Sequence, residues 1–524
     1  MNRFLGRANK RLSLSSAALL LASTAFIGTV LGILRTKLIN ANFNNFESDA
    51  YFAAFKIPDF VFFTLASGAL GVAFLPILSE RLHNSKQSAW AVASYILNAL
   101  AAVAFIASIV IMIFAEPLLK HVVAPGFTPE QMELSVAIMR IISVNIFIFA
   151  ISTVLTTVQQ AVGRFFFVAM APLFYNGSII ASIFIFGHQI GIVGLGLGVA
   201  FGAVLQLLVV ALGMIGMDFR YRFKINFKNK SFREVIRILP ARSIDQGVDY
   251  INSIAETRFA SRLSIGSVTN YENALILHNA PTMLIGTAIS TAAFPRLTDR
   301  LAQNRIDLFR KEFLRILRTM VWIAAPVVVI SYFTRAYLAR IIFARSNREI
   351  ALIFGYLCVA IFFRIMYSII SRFFYAHKDT KTPLYVSLFI IALNILLAYT
   401  LSKPEIYGIV GLALAQSIVA FVEVLLLVGI MIIRDRHLFD KVFLDSLGRI
   451  ISVTGFSAIA AYFTMHFLPL GAYDQGFGMV MKLIIITVII MTVHVGFSYM
   501  FGLEEAKTVI SKIRKIIVRP IRIQ

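Results

Sequence analysis

Five polar residues recur on one side of a stretch that is otherwise apolar. In "ILPARSIDQGVDYINSIAET" (238–257), Arg242, Asp245, Asp249, Asn252 and Glu256 follow one another at intervals of three or four. Stepping 100° per residue from Arg242 puts Asp245 at 300°, Asp249 at 340°, Asn252 at 280° and Glu256 at 320°, so on a helix all five share an arc of about 80°. Such a face cannot meet lipid. It is either an internal ion-pair network that fixes helix register, or the wall of a wet cavity. In the second case its carboxylates and amide are hard oxygen ligands suited to Na⁺ or H⁺. Asn394 could join that set or simply pack.

A second group is basic. Arg35 and Lys37 lie in one apolar run, Lys56 at the start of the next and Arg364 inside a later one. Lys37 can snorkel to the surface. Arg35 and Lys56 suit an interior face, and a guanidinium fork donates paired hydrogen bonds to a phosphate. Asp49 stands where it could hold one of these cations. No P-loop, His/Cys metal cluster or Gly-x-Ser-x-Gly elbow is written in the chain. No resident cofactor is therefore expected. Work would be driven by Na⁺, H⁺ or the membrane potential, worth about 2.3 kcal/mol per charge per 100 mV.

The elements that must position these groups are transmembrane helices. The chain is 59% hydrophobic and 14% charged, with a mean hydropathy of +0.83; soluble domains carry about 25% charged residues. Apolar runs long enough to cross about 30 Å of hydrocarbon recur almost throughout. Expected spans are 17–39, 50–77, 89–115, 133–158, 165–187, 190–215, 236–257, 270–295, 317–334, 349–371, 383–401, 405–433, 448–468 and 478–501. The net charge of +23 would suggest nucleic acid in a soluble protein; here it marks cytoplasmic loops facing anionic lipid, and no nucleic-acid partner is expected. The single cysteine, Cys358, excludes a disulfide framework. The N-terminus, even-numbered loops and C-terminal tail hold 34 Lys and Arg against eight in the odd-numbered loops, which places both termini in the cytoplasm. The main exception is the loop after span nine, with Arg335, Arg340, Arg345 and Arg348. Span seven carries the acidic stripe, and loop parity requires it to cross.

The chain also repeats itself. "GIVGLGLG" (191–198) returns as "GIVGLALA" (408–415), "AFLPILSERL" (73–82) as "AAFPRLTDRL" (292–301), and "PLFYN" (172–176) loosely as "PLYVS" (383–387), at offsets of 217, 219 and 211. Each pairs span n with span n+6, so two six-helix halves share one orientation, a transporter architecture. The expected layout is a cytoplasmic N-terminus 1–16, an N-lobe 17–217, a basic linker 218–235, a C-lobe 236–433, helices thirteen and fourteen 434–503, and a basic tail 504–524. Gly194, Gly198 and Gly202, four apart, read as a close helix-packing face rather than ligand contacts.

Several stretches resemble the MurJ (MviN) family of lipid II flippases, in the multidrug/oligosaccharidyl-lipid/polysaccharide exporter superfamily. They are "VLGILRTKLI" (30–39), "SDAYFAAFKIPDF" (48–60) with "ASGALGVAFLPILSE" (66–80), "APGF" (124–127) and "FYAHKDTKTP" (374–383). The resemblance implies an all-α membrane protein of about fourteen helices with a cationic central cavity, in the bacterial cytoplasmic membrane. It would move undecaprenyl-pyrophosphate-linked peptidoglycan precursor from inner to outer leaflet by alternating access, as a monomer among membrane lipids, without hydrolytic or transfer chemistry. The last two helices would form a groove for the lipid tail. Arg35 matches a family cavity arginine, and Asp49 and Lys56 match family positions. Four other family arginines fall on Thr29, Phe62, Phe63 and Ile276, which leaves Arg242 and Arg364 to take over anion binding or a changed substrate. The alternatives are an exporter of another polyprenyl-linked glycan or of a cationic drug, and then a polytopic glycosyltransferase using acids such as Glu47 and Asp49.

Overall fold

The computed structural model describes residues 9, 14–67, 74–343, 347–471, 474, 476–507 and 510–511; the side chains of 14, 15, 18, 66, 67, 188, 238–246 and 248 lie outside that description. Among the described residues there are helices and turns but no strand. In chain order the principal helices are α1 (Leu14–Asn42), α2 (Asn45–Ala54), α3 (Lys56–Phe62), α4 (Leu75–Asn84), α5 (Lys86–Ile113), α6 (Pro129–Val162), α7 (Phe166–Ile185), α8 (Val193–Leu212), α9 (Lys230–Ala260), α10 (Ser267–Pro281), α11 (Ala288–Ala302), α12 (Ile306–Phe333), α13 (Arg335–Ile342), α14 (Asn347–Ala376), α15 (Lys381–Leu401), α16 (Ile409–Arg434), α17 (Lys441–Phe467) and α18 (Gly476–Met500).

Local chemistry sets where these helices begin. Asn44 accepts from Glu47 N at 2.8 Å while Glu47 accepts from Asn44 N at 3.0 Å, a reciprocal cap that starts α2. Thr128 and Gln131 do the same for α6. Asp440 accepts from Phe443 N at 2.7 Å and starts α17.

Eleven helices among the described residues are long and apolar enough to cross a membrane. Length and hydropathy do not reproduce the expected count of fourteen. The three expected spans that fall outside are 50–77, 236–257 and 270–295. The first and third are interrupted by π-helical turns at Phe63–Ser67 and Thr282–Thr287. The second, within α9, carries the polar stripe. These are the segments with the most chemistry, and the polar residues are what lower their hydropathy.

The duplication read from the repeated phrases recurs in backbone geometry. The two π turns begin 219 residues apart, the same offset that separates "AFLPILSERL" from "AAFPRLTDRL". Gly191 and Gly408, 217 apart, have φ/ψ of 59°/−149° and 54°/−135°. That region is accessible in practice only to glycine, so each repeat turns into its sixth span through the same glycine-only corner.

The chain divides into two compact units, Met1–Thr269 and Asn270–Gln524. In the first, α7 and α8 approach closely. A Cβ on Gly202 would meet Tyr175 Cδ2 at 3.0 Å, and Ser178 Oγ donates to Gly198 O at 2.9 Å. Helix α9, which opens the second repeat, packs in this first unit against α3, the Phe63–Ser67 turn and α5. Gly247 permits it, since a Cβ there would stand 2.6 Å from Thr64 Oγ1. In the second unit, α12, α17 and α18 are pinned by polar contacts inside apolar surroundings. Trp322 Nε1 donates to Ser498 Oγ at 2.8 Å, and Ser457 Oγ lies 3.0 Å from His494 Nδ1.

Candidate functional site

In the first unit the expected basic residues converge with partners the sequence did not announce. Arg35, half-buried on α1, donates from Nη1 to Asn176 Oδ1 on α7 at 3.1 Å. Its Nε is buried and has no hydrogen-bond partner among the described residues. The neighbours that feel its charge are phenolic, Tyr51 and Tyr175. Asp59 on α3 acts electrostatically on both of these and on Tyr250 of α9, so one polar neighbourhood links α1, α2, α3, α7 and α9. Lys56 Nζ donates to Ser253 Oγ on α9 at 2.8 Å.

The stripe on α9 is partly visible. Asn252 Nδ2 donates to Glu256 Oε1 at 3.0 Å, one turn on, and Glu256 is 3% exposed. Asp249 is exposed and acts on Tyr250. The side chains of Arg242 and Asp245 lie outside the described residues. Beyond the stripe, Arg258 donates to the carbonyls of His121 and Val122 and ties the end of α9 to the first unit.

Asp49 takes another job than steadying a cation. It is 2% exposed, and its carboxylate accepts from Gly266 N at 2.6 Å and from Thr269 N and Oγ1, both at 2.7 Å. It thereby caps the start of α10 from a helix more than two hundred residues earlier. Burial pushes its pKa up to about 6, against the pull of the Thr269 and Gly266 hydrogen bonds.

The positions where family arginines were expected are occupied apolarly. Phe63 stacks on Tyr250 with centroids 4.5 Å apart, and Phe62 packs on Phe149 at 5.3 Å. Thr29 Oγ1 donates back to Ala25 O on its own helix at 3.0 Å, and Ile276 is half-buried on α10.

In the second unit Arg364 of α14 is neutralised. Its Nη1 donates to Glu423 Oε2 of α16 at 2.8 Å, and Nη2 reaches Gln416 Oε1 at 3.4 Å. Glu423 is 2% exposed and its other oxygen accepts from Ser387 Oγ at 3.0 Å. That pairing spends on Glu423 the charge that the sequence reading reserved for an anion. Asn394 is buried on α15. The motif "FYAHKDTKTP" forms the α14–α15 corner. Asp379 accepts from Lys381 N and Thr382 N, both at 3.0 Å, and pairs with Arg434 at 2.6 Å. Partial burial raises its pKa, but the Thr382 and Arg434 bonds outweigh it and hold the carboxyl at about 2.

Sequence reasoning missed Asn176, Ser253, Glu423 and Arg372. Glu423 was detectable as the lone acid within α16. Asn176 and Ser387 close the matched phrases "PLFYN" and "PLYVS", and each contacts an arginine-centred network in its own unit. Arg372 stands over the rings of Phe294 and Tyr375, at 5.3 and 5.8 Å from their centroids. Chemically, the first-unit site offers a guanidinium met only by a neutral amide. That suits an oxyanion with several acceptor oxygens.

Comparison with known proteins bears on what that oxyanion is. The family model described as "Lipid II flippase MurJ" matches residues 40–499. A probable lipid II flippase MurJ of Borreliella burgdorferi is 24% identical over 88% of this chain and 91% of its own length. One of Bdellovibrio bacteriovorus is 23% identical over 97% and 98% respectively. A solved lipid II flippase MurJ in an inward closed conformation superposes with a TM-score of 0.76 at 22% identity, covering 94% of this chain and all of that one. An inward-facing multidrug resistance MATE family transporter gives a TM-score of 0.67 at 16% identity over 79% of this chain and 97% of its own.

Proposed function

The chain belongs to the lipid II flippase MurJ family, and from that premise we propose that it moves lipid II, the polyprenyl-pyrophosphate-linked peptidoglycan precursor, from the inner to the outer leaflet of the bacterial cytoplasmic membrane by alternating access. The observation that carries the reading is Arg35. It is a half-buried guanidinium with a neutral amide for a partner and a buried Nε left over, and a pyrophosphate supplies the acceptors it lacks. Lys56, held toward α9 by Ser253, adds a second cation on the same neighbourhood. The protein acts as a monomer, with both termini cytoplasmic as the 34-to-eight division of basic residues supports. It transports rather than transfers, and nucleic acid has no part in it. The drive comes from Na⁺ or H⁺ taken by the oxygens of Asp249, Asn252 and Glu256, or from the membrane potential acting on the bound charge.

Depletion in the native cell tests this directly. Lipid II should accumulate in the inner leaflet, and re-expression of Arg35→Ala should fail to relieve it although the protein inserts. Unimpaired translocation without the protein ends the reading. The carboxylates of α9 favour a second reading, export of a cationic drug. That reading predicts drug hypersensitivity in the depleted strain with lipid II normally distributed.

A further inference from the structure

Outside the site just described, each unit carries a lateral groove between helices, and the two grooves are the same groove written twice. The first, of about 1100 Å³, runs over α6, α7 and α8. The second, of about 610 Å³, lies over α14 and α16. Arg140, Val144, Leu197 and Phe201 line the first; Val359, Phe363, Leu414 and Ile418 line the second. Taken in order these pairs are 219, 219, 217 and 217 residues apart, the offsets of the repeated phrases. Small residues open the first groove, with Gly177 and Ala181 between the exposed rings of Phe174 and Phe201.

One arginine stands at each groove, and the two are not repeat equivalents. Arg140 corresponds to Val359, while Arg335 corresponds to Glu116. A cation has therefore reached the groove independently in each half. Neither makes an ion pair among the described residues. Arg140 Nε donates to Met112 O at 3.3 Å; Arg335 Nη1 donates to Tyr332 O at 2.6 Å, with its guanidinium 4.4 Å from the Tyr332 ring centroid. Both sit at the same end of the membrane. Arg335 follows the ninth expected span directly, and Arg140 lies beside the end of α5. At 1.5 Å per residue, α6 is about 51 Å long and Arg140 about 16 Å from its start. With about 10 Å of the helix protruding on each side of a 30 Å core, its guanidinium falls near the boundary of headgroup and acyl chain.

We propose that the two grooves are binding sites for one anionic glycerophospholipid each in the outer leaflet, with acyl chain along the apolar floor and headgroup phosphate on Arg140 or Arg335. The proposal rests on the membrane orientation given above, not on the identity of the flipped substrate. It also accounts for Arg335, one of the basic residues on the side of the membrane where the charge rule does not want them. Charge complementarity selects the occupant: an apolar channel ending at an unneutralised guanidinium at phosphate depth fits an acidic lipid and gives a neutral one no such advantage.

The test is native mass spectrometry of the full-length protein released from detergent containing phosphatidylglycerol or phosphatidylethanolamine. Two retained phosphatidylglycerols per chain are expected, falling to one in Arg140→Gln or Arg335→Gln and to none in the double variant. Each substitution should weaken its site about fivefold. Ala181→Phe, at an exposed position, should fill the first groove and remove one lipid with both arginines intact. Equal retention of the neutral lipid, unchanged retention in the double variant, or retention unaffected by Ala181→Phe overturns the proposal. So does one-for-one displacement of phosphatidylglycerol by added undecaprenyl pyrophosphate, which would assign the grooves to the polyprenyl carrier. Lipid II distribution in depleted cells is a separate readout, so failure here leaves the flippase reading standing.

Discussion

Arg35 in the first unit and Arg364 in the second are both arginines inside apolar helices, yet they are met differently. Asn176 offers Arg35 a neutral amide oxygen at 3.1 Å; Glu423 offers Arg364 a carboxylate at 2.8 Å that is itself 2% exposed. The partners sit in matching places, since Asn176 ends one copy of a repeated phrase and Ser387, which donates to Glu423, ends the other. Duplication thus supplied one scaffold twice, and a single acid separates the outcomes. Where the acid is absent the guanidinium keeps its charge for a ligand. Where it is present the pair closes on itself and serves the packing of α14, α15 and α16.

The strongest way to break this contrast is to remove each arginine. Arg35→Ala should reduce lipid II translocation by about a hundredfold or more, the scale of losing a charge-assisted contact to phosphate, about 2.7 kcal/mol. Its thermal unfolding should stay close to wild type, because the residue leaves only a neutral amide behind. Translocation in reconstituted vesicles, read beside the melting curve, checks both halves. Active Arg35→Ala protein would dissolve the distinction.

Glu423→Gln probes the other side. The amide can still accept from Arg364 and Ser387, but the guanidinium loses its counter-charge, so stability should fall by about 2 kcal/mol. That is below the cost of breaking a fully buried pair because the Arg364 side chain is 28% exposed. Arg364→Met on the Glu423→Gln background should recover most of the loss. A single variant as stable as wild type, or a double variant no better than the single, would show that the pair is not holding the second unit.

How much of this could be read beforehand follows from the range of each interaction. Apolar runs, the basic loops and the repeated phrases are local or periodic, so the helix order, the two-fold repetition and the cationic character of Arg35 and Lys56 were legible. The stripe at Asp249, Asn252 and Glu256 was legible for the same reason, and its Asn252–Glu256 bond is one helical turn. The π turns were not, because a shifted hydrogen-bond register leaves no residue signature at Phe63–Ser67 or Thr282–Thr287. The identity of Arg364's partner was hidden too. Glu423 lies 59 residues on, and nothing in an apolar helix says which acid turns toward which cation. Asp49 was placed correctly in the chain and given the wrong contact, since its acceptors are filled from 217 and 220 residues away.

A smaller test sharpens the first-unit side. Ser253→Ala removes the hydroxyl that receives Lys56 at 2.8 Å. If Lys56 shares the anion with Arg35, an unanchored ammonium should weaken translocation about tenfold, near 1.4 kcal/mol, with stability changed far less. Ser253→Thr keeps the hydroxyl and should restore most of it. Equal losses in the Ala and Thr variants would make Ser253 a packing residue and leave Arg35 alone on the substrate.

The smallest effect comes from Asp49, the one acid of the first-unit motif committed to structure. Its pKa in the fold is about 6, against 3.8 unperturbed, because burial outweighs the hydrogen bonds from Thr269 and Gly266. A carboxyl whose folded pKa is raised binds its proton more tightly in the native state than in the unfolded one. Its contribution is therefore complete below pH 3.8 and is lost as pH rises through 6. Between pH 5 and pH 7 this amounts to about 1 kcal/mol, with greater stability at the lower pH. Asp49→Asn has no proton to exchange and should flatten that part of the profile in thermal unfolding of the purified protein. Arg35→Ala, tested the same way, should leave the profile intact. A wild-type profile rising from pH 5 to pH 7, with the rise abolished in Asp49→Asn, would reverse the sign and mean that the hydrogen bonds, not burial, govern this carboxyl.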